Sequence, residues 1–521
     1  MLKELTYNIT LNTKTTLVTF DNDATGCFDR VPCTVAMLSS RRLGATKNIC
    51  RMQADTLQHI NHTLRTAFGT SAESYTSNND REIHGQGQGS RAGPPTWVFV
   101  SSLLLDCMNK LANGLQFTCP NREIHHQRTN DAFVDDVTGY TNHFTEELEG
   151  QQVEDEVIKR MQYDATLWSN LLHISGGKLA LHKCLYYIIA WNWDHGLPTL
   201  RPAHSIQPKI SLHEGQHQTT IQHLDHNQTH RTLGQFKAPN GNQSAQLSYM
   251  QTKSQKWLTM IQAAHLTKQE AEAAYKMIWF PSLSYGTGTT NLSYNDLNRI
   301  QQPIINHILP LLGYNRHLPR AVVFGSSKFG GLNLKHLYIE QGTKHVTNFI
   351  KYYRNRGSIG NLIKIALRWF HLIAGFSFCP LARPQLCYHH IEDRWFQTTI
   401  RFLYECQAWI QTTERIQIYS RESDSCLMED FLLENPTPHE LQNLNSCRLF
   451  LRVITLSDIC TARGDMINRQ CWEGSSPMRT TDYGPNKRNH PQKPGLSGKN
   501  TSPAVTLPTN LPYERPMTIY D

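Results

Sequence analysis

The chain has 521 residues, enough for two to four domains with a sizeable core. Hydrophobic residues make up 39% and charged residues 18%, and no run of about 18 apolar residues offers a membrane span. The 13 scattered cysteines form no CxxC pairs, the opening Met1-Leu2-Lys3-Glu4-Leu5 lacks the apolar stretch of a secretion signal, and the formal charge of +8 is compatible with a polyanionic partner without requiring one. An intracellular protein with reduced thiols is expected, nucleus and cytoplasm being undistinguished; Lys487-Arg488 is too short for an import cluster.

Leu17-Val18-Thr19-Phe20 reads as a buried strand ending in Asp21-Asn22-Asp23. A helix is expected from Pro32 toward Arg42 and another over 46–67, followed by a Gly/Gln/Pro loop over 84–95 and an apolar helix from Thr96 to Leu111. Ala132-Phe133-Val134 and Val137-Thr138-Gly139-Tyr140 flank Asp135-Asp136 and predict strand, tight turn, strand, with both aspartates at the tip. A long helix over 144–172, acidic at its start, ends at Gly176-Gly177, and Cys184–Trp193 reads as strand. Residues 195–230 are polar and histidine-rich; from 243 to 465 helix follows helix; the tail from 466, rich in Pro, Ser, Thr, Asn and Gly, is expected to be disordered. No internal repeat is visible.

Two like charges held side by side repel, and a divalent cation removes the repulsion. A solvated acidic turn is the competing reading of Asp135-Asp136 taken alone. A third carboxylate is needed for two metal ions, and Asp23, at the end of a buried strand, is the best candidate.

Asp23, four residues, Phe28, Asp29 and, after Arg30, the apolar Val31 closely resembles the first palm motif of reverse transcriptases. Phe133-Val134-Asp135-Asp136 resembles their third, and Gly85–Pro95, with Gln88-Gly89 at its centre, resembles their second. All three stand in the family's order, and Gly26-Cys27-Phe28-Asp29 is most similar to the non-LTR and group II intron-like branch. The resemblance implies an α+β fold: a palm sheet backed by helices over 1–235, a helical thumb over 236–312, a helical C-terminal region over 313–465 and the tail 466–521.

It also implies RNA-directed DNA synthesis from an RNA template, a DNA primer and dNTPs. Two Mg²⁺ ions, or Mn²⁺, would be held by Asp23, Asp135, the adjacent Asp136 and the carbonyl of Ala24. Such ions sit about 3.5–4 Å apart and stabilise the attacking and leaving oxygens of an in-line displacement. Phe28 would crowd a ribose 2′-hydroxyl and favour dNTPs over rNTPs, against an RNA-templated RNA polymerase; a core aromatic is its other reading. Gln88 and Gly89 would approach the nucleotide, or form a bare turn, and Gly93 stands where the family commonly has Ser before Pro94. Lys183 resembles the lysine that protonates pyrophosphate, against a plain surface lysine, and Leu233-Gly234 resembles the primer grip. Lys253, Lys256 and Lys268 could contact phosphates.

Two further clusters, His213, His217, His223, His226 and His230, and Cys379, Cys387, His389 and His390, fit no standard zinc spacing. The first reads better as a polar-faced hairpin. About twenty residues precede Asp23, room for only the strand leading to it, so the fingers are expected to be largely missing. Neither an endonuclease ahead of the palm nor a ribonuclease H pattern after the thumb is expected from these residues. The alternative expectation is therefore a catalytically inactive, truncated retroelement remnant that at most binds nucleic acid.

Overall fold

The computed structural model describes residues 1–414 except 27, 77–84, 86–90, 143–149, 208, 326, 328–330, 355–356, 377–379, 383–385, 387 and 389. Its architecture is mixed α/β, with every named strand before residue 238 and mostly helices from 244 onward. That order of elements follows the sequence expectation. The expected tail and the helices beyond 414 lie outside the described residues.

The chain opens with a helix that the sequence reading did not anticipate, α1 (Leu2–Thr13). Lys14 closes it in the left-handed conformation at φ 55°, and β1 (Leu17–Asp23) follows. Next come α2 (Cys33–Arg42), after Pro32 as expected, and α3 (Lys47–Gln58), capped by the Thr46 hydroxyl. The helix expected over 46–67 stops at Gln58. A hairpin, β2 (His62–Thr66) and β3 (Gly69–Tyr75), replaces its end. The branched Thr63 and Thr66 favour extended backbone, and Ala67-Phe68 form the turn, with Gly69 at φ 126° opening β3 opposite Thr66. Helix α4 (Gly93–Leu111) starts with prolines in its first turn.

Four short strands follow: β4 (Leu115–Thr118), β5 (His125–Arg128), β6 (Asn130–Phe133) and β7 (Asp136–Asn142). Helix α5 (Gln151–Ile174) leads to β8 (Leu185–Ile189), β9 (Trp191–Asp194) and β10 (Leu197–Leu200). The histidine-rich stretch forms the expected hairpin, β11 (Ser211–Glu214) with β12 (His217–Thr220), then β13 (Gln222–Leu224), β14 (His230–Thr232) and β15 (Gln235–Lys237). The helical half comprises α6 (Ser244–Ala263), α7 (Lys268–Ala273), a π-helical turn over Ala274–Trp279, α8 (Phe280–Ser284), α9 (Tyr294–Leu311), α10 (Arg320–Phe324), α11 (Leu337–Tyr353), α12 (Ser358–Ala374) and α13 (Arg394–Glu414). No helix among the described residues is long and apolar enough to cross a membrane.

The main sheet runs β13-β8-β1-β7-β6, with β1 central and antiparallel to both neighbours. Alternation along β1 divides two cores. Val18 and Phe20 pack with Trp97 of α4 and with Met161 and Trp168 of α5. Leu17 joins the other cluster, which runs from Leu5 and Ile9 of α1 to Leu403 of α13 and crosses the expected boundaries at 235 and 312. Helix α1 lies against α12 and α13 and is part of that core. Ile9→Ala is therefore expected to lower the unfolding free energy by about 2–4 kcal/mol in a urea titration. A near-zero change would place α1 outside the cooperative unit.

Candidate active site

The β6–β7 hairpin closes with Phe133 opposite Asp136, leaving Val134 and Asp135 as its two-residue turn. Val134 sits at φ 58°, a costly conformation for a branched residue. Two bonds hold the turn: the Trp97 indole N–H donates to the Val134 carbonyl at 2.6 Å, and the Ala24 N–H donates to the Asp135 carbonyl at 3.3 Å. The tip is thus fastened both to α4 and to the end of β1.

Strand register sets the carboxylates. Asp23 pairs directly across from Asp136, so both side chains leave the sheet on one face. Asp21, two residues earlier, shares that face and accepts from the Thr138 hydroxyl at 2.6 Å. Asp21, Asp23 and Asp136 line a cleft of about 400 Å³. The Asp136 carboxyl is held above the usual carboxylate range, first by partial desolvation and then by the charges of Asp135, Asp23 and Asp21.

Lys183 is delivered from the other side. The segment 178–180 zips onto the end of β1: the Thr25 N–H donates to the Lys178 carbonyl at 2.7 Å, and the Ala180 N–H to the Asp23 carbonyl at 2.9 Å. A single 3₁₀ turn, Leu181–Lys183, then carries the ammonium to Asp23 Oδ2 at 2.5 Å. Gly176, just before this segment, lies close against Arg30 and Pro32. At φ +87°, a Cβ there would lie 2.5 Å from the Arg30 carbonyl oxygen and the Pro32 ring. Gly176→Ala is expected to cost more than about 2 kcal/mol of stability. Thermal unfolding of the variant beside wild type checks this.

The other predicted residues are placed unevenly. Ala24 is buried beside the carboxylates. Phe28 packs, partly buried, against the core behind β1 and is not among the residues lining the cleft. Gln88 and Gly89 lie outside the described residues; the entry to their loop, Gly85, donates its N–H to the Val31 carbonyl at 3.0 Å, close behind the first motif. Leu233 and Gly234 form the two-residue turn of the β14–β15 hairpin, at φ 48° and 80°. The adjoining His230, Arg231 and Thr232 line the same cleft as the aspartates. Lys253 donates to the Ser282 carbonyl at 2.9 Å and lies over the Tyr249 ring, which also carries the Arg231 guanidinium.

The histidines of the first cluster spread over β11 to β14 and the loop between β13 and β14, and His223 stacks on Tyr186 at 4.6 Å. Cys379, Cys387 and His389 lie outside the described residues. Among the described residues, no three His, Cys, Asp or Glu side chains converge closely enough to hold a metal ion. The aspartates supply hard oxygen donors on a common face, the chemistry a divalent cation takes, but they are not closed into a cage, and one Asp23 oxygen is taken by Lys183.

Sequence reasoning missed Asp21, Thr138, Trp97, Lys3 and Arg231. Asp21 was legible as the i−2 partner of Asp23 on a strand; the others depend on long-range packing. Lys3 of α1 places its ammonium 2.6 and 2.8 Å from the two Asp21 oxygens and 3.3 Å from the Thr232 hydroxyl, tying the β14–β15 hairpin to β1.

No family model matches the chain, and no curated protein matches it. Among solved structures it is similar to telomerase from Candida albicans in complex with the TWJ fragment of telomeric RNA, at 11% identity and a TM-score of 0.24. The alignment covers 70% of this chain and 54% of the telomerase chain, so the chain spans about half the length of that relative. At that score the likeness carries no argument about fold or function.

Proposed function

We propose that the chain is the nucleotidyl-transferring part of an RNA-directed DNA polymerase. The observation that carries this reading is the register: Asp23 faces Asp136 across adjacent strands, with Asp135 in the turn that joins β6 to β7. Asp23, Asp135 and Asp136 would hold Mg²⁺, which supplies charge stabilisation to the attacking hydroxyl and the leaving phosphate oxygens. Lys183, beside Asp23, would give a proton to departing pyrophosphate. Arg231, across the cleft, offers a guanidinium to phosphate, and the Leu233-Gly234 turn next to it would steady a primer end. RNA template, DNA primer and dNTPs would be the chain's partners; the preference for dNTPs rests on the sequence resemblance at Phe28, whose ring packs behind β1 and does not line the cleft.

The test is primer extension by the purified chain on an RNA template with Mg²⁺ and either dNTPs or rNTPs. Extension with dNTPs supports the reading; extension with rNTPs alone turns it toward RNA synthesis. One observation favours a second reading, a silent remnant that only binds nucleic acid: Lys183 occupies Asp23, and the carboxylates are not closed around a metal position. Retention of a primer–template without any extension, unchanged by Asp135→Asn, would select it.

A further inference from the structure

Charge is segregated along this chain. Between Leu297 and Ile391 the sequence carries 12 lysines and arginines against one acid, Glu340, whereas the whole chain nets only +8. Glu340 is matched locally, 3.5 Å from Lys344. Part of the excess gathers where α9 turns into α10. The Arg316 Nε–H donates to His317 Nε2 at 3.2 Å, and the Arg320 guanidinium donates to Asn306 Oδ1 at 2.8 Å. Lys268 reaches the same turn, 5.8 Å over the Tyr314 ring. Among the described residues none of these three cations pairs with a carboxylate. The acids of the neighbouring α7 are taken, Glu270 by Thr267 and Glu272 by Lys276. Burial lowers the Arg320 pKa, as expected of a cation desolvated without a counter-charge.

The sequence beyond the described residues supplies the opposite sign. Residues 422–440 hold six acids and no lysine or arginine, with Glu429-Asp430 set between Leu427-Met428 and Phe431-Leu432-Leu433. Helix α13 brings the chain to the right place. It runs antiparallel to α11: Phe396 meets Phe349 at 5.8 Å, and Phe402 meets Tyr338 at 6.2 Å. It continues to Glu414, about 18 Å past Phe402 and so past the start of α11. On that side His336 abuts Phe324 of α10 at 4.8 Å. From Glu414 to Phe431 an extended chain spans up to about 55 Å, ample to reach the α9–α10 turn.

We propose that the acidic segment 422–434 docks on the turn between α9 and α10, setting Glu429 and Asp430 against Lys268, Arg316 and Arg320, so that the chain occupies its own basic surface. Opposite charges meet there over a short, tethered distance, and the exposed Tyr314 ring offers apolar contact to Leu427 and Phe431. An external polyanion reaches this surface only by displacing the segment. The inference stands apart from the carboxylate cleft.

The test is chymotrypsin cleavage of the full chain after Phe431 at low ionic strength, followed by mass spectrometry and normalised to the cut after Trp472. When docking and release are fast, the cleavage rate follows the released fraction. Wild type is compared with Lys268→Glu/Arg316→Glu, with Glu429→Lys/Asp430→Lys and with all four substitutions together. Lys268 and Arg316 are exposed, so replacing them leaves the core intact. Lys268→Glu/Arg316→Glu is expected to be cut about tenfold faster than wild type, the worth of two exposed ion pairs. The quadruple variant, with its charges exchanged, should be cut about tenfold more slowly than Glu429→Lys/Asp430→Lys, which has the same sequence at the cut. Salt at about 1 M should bring wild type up to the faster rate. Equal rates in wild type and Lys268→Glu/Arg316→Glu, or a quadruple variant cut as fast as Glu429→Lys/Asp430→Lys, overturn the docking. Retention of a single-stranded oligonucleotide that depends on Lys268 and Arg316, with a Phe431 cut that ignores them, assigns the surface to nucleic acid and also overturns it.

Discussion

Asp135→Asn is expected to lower nucleotide incorporation by about 10³-fold or more while leaving the fold intact. The turn is held through backbone groups, the Ala24 N–H on the Asp135 carbonyl and the Trp97 indole on the Val134 carbonyl, and neither needs the Asp135 side chain. An amide of the same shape therefore preserves the geometry and removes one negative charge. That charge is among those raising the Asp136 carboxyl, so the Asp136 pKa should fall back toward its ordinary value in the variant. A raised carboxyl pKa in the folded state means stability that is full below the ordinary carboxylate range and declines as pH rises through it. Easing the repulsion makes Asp135→Asn as stable as wild type at pH 8, or more stable by up to about 1 kcal/mol. Single-nucleotide incorporation and a melting curve, run on the same preparation, read both effects. Loss of the folded state would make Asp135 a structural residue; full activity in a folded variant would remove it from the chemistry.

The parts of this site visible in the sequence are those encoded by neighbouring residues. Strand alternation around Asp23 and the two apolar flanks of Asp135-Asp136 are local patterns, and both elements formed where they were expected. What local pattern leaves open is register: that Asp136, rather than Asp135, stands opposite Asp23 follows from the pairing of β1 with β7 over seven residues. Helix α1 was invisible for a different reason. Thr6, Asn8 and Thr10 are buried along with Leu5 and Ile9, so the helix is enclosed nearly all round and shows no apolar stripe against a polar one. With α1 unseen, Lys3 and its grip on Asp21 and Thr232 were unreachable, since the contact to Thr232 spans 229 residues. Arg231 follows the same logic: it enters the cleft because a hairpin more than two hundred residues downstream folds back over β1, which periodicity does not report.

Asp393→Asn is expected to abolish a pH-dependent loss of stability that α1 and α13 share. Asp393 is fully buried at the start of α13, where its carboxylate accepts from the Phe396 N–H at 3.0 Å and from the Asn8 side-chain amide of α1 at 3.1 Å. Both bonds go to Oδ1, and Oδ2 finds no partner among the described residues. Burial, the leading cause, with a contribution from nearby Glu4, pushes this carboxyl up from 3.8 to about 7. The folded chain therefore binds the Asp393 proton more tightly than the unfolded chain. Its contribution is fully present below the unfolded pKa and is lost as pH rises through about 7. About three pH units at about 1.4 kcal/mol each set an upper bound of about 4 kcal/mol. Asparagine retains an oxygen to accept both bonds and has no charge to bury. Urea unfolding should find the variant close to wild type at pH 4 and about 2–4 kcal/mol more stable at pH 8. Below neutral pH the buried His345 and His336, lowered mainly by burial to about 4 and about 3, pull the other way, because protonation of the unfolded chain is favoured as pH falls. That acid-side slope should persist unchanged in Asp393→Asn, which separates the carboxyl from the imidazoles in one experiment. An identical pH dependence of wild type and Asp393→Asn between pH 4 and 7 would place the carboxyl titration elsewhere, and α1 would then dock on α13 without a proton-linked contact.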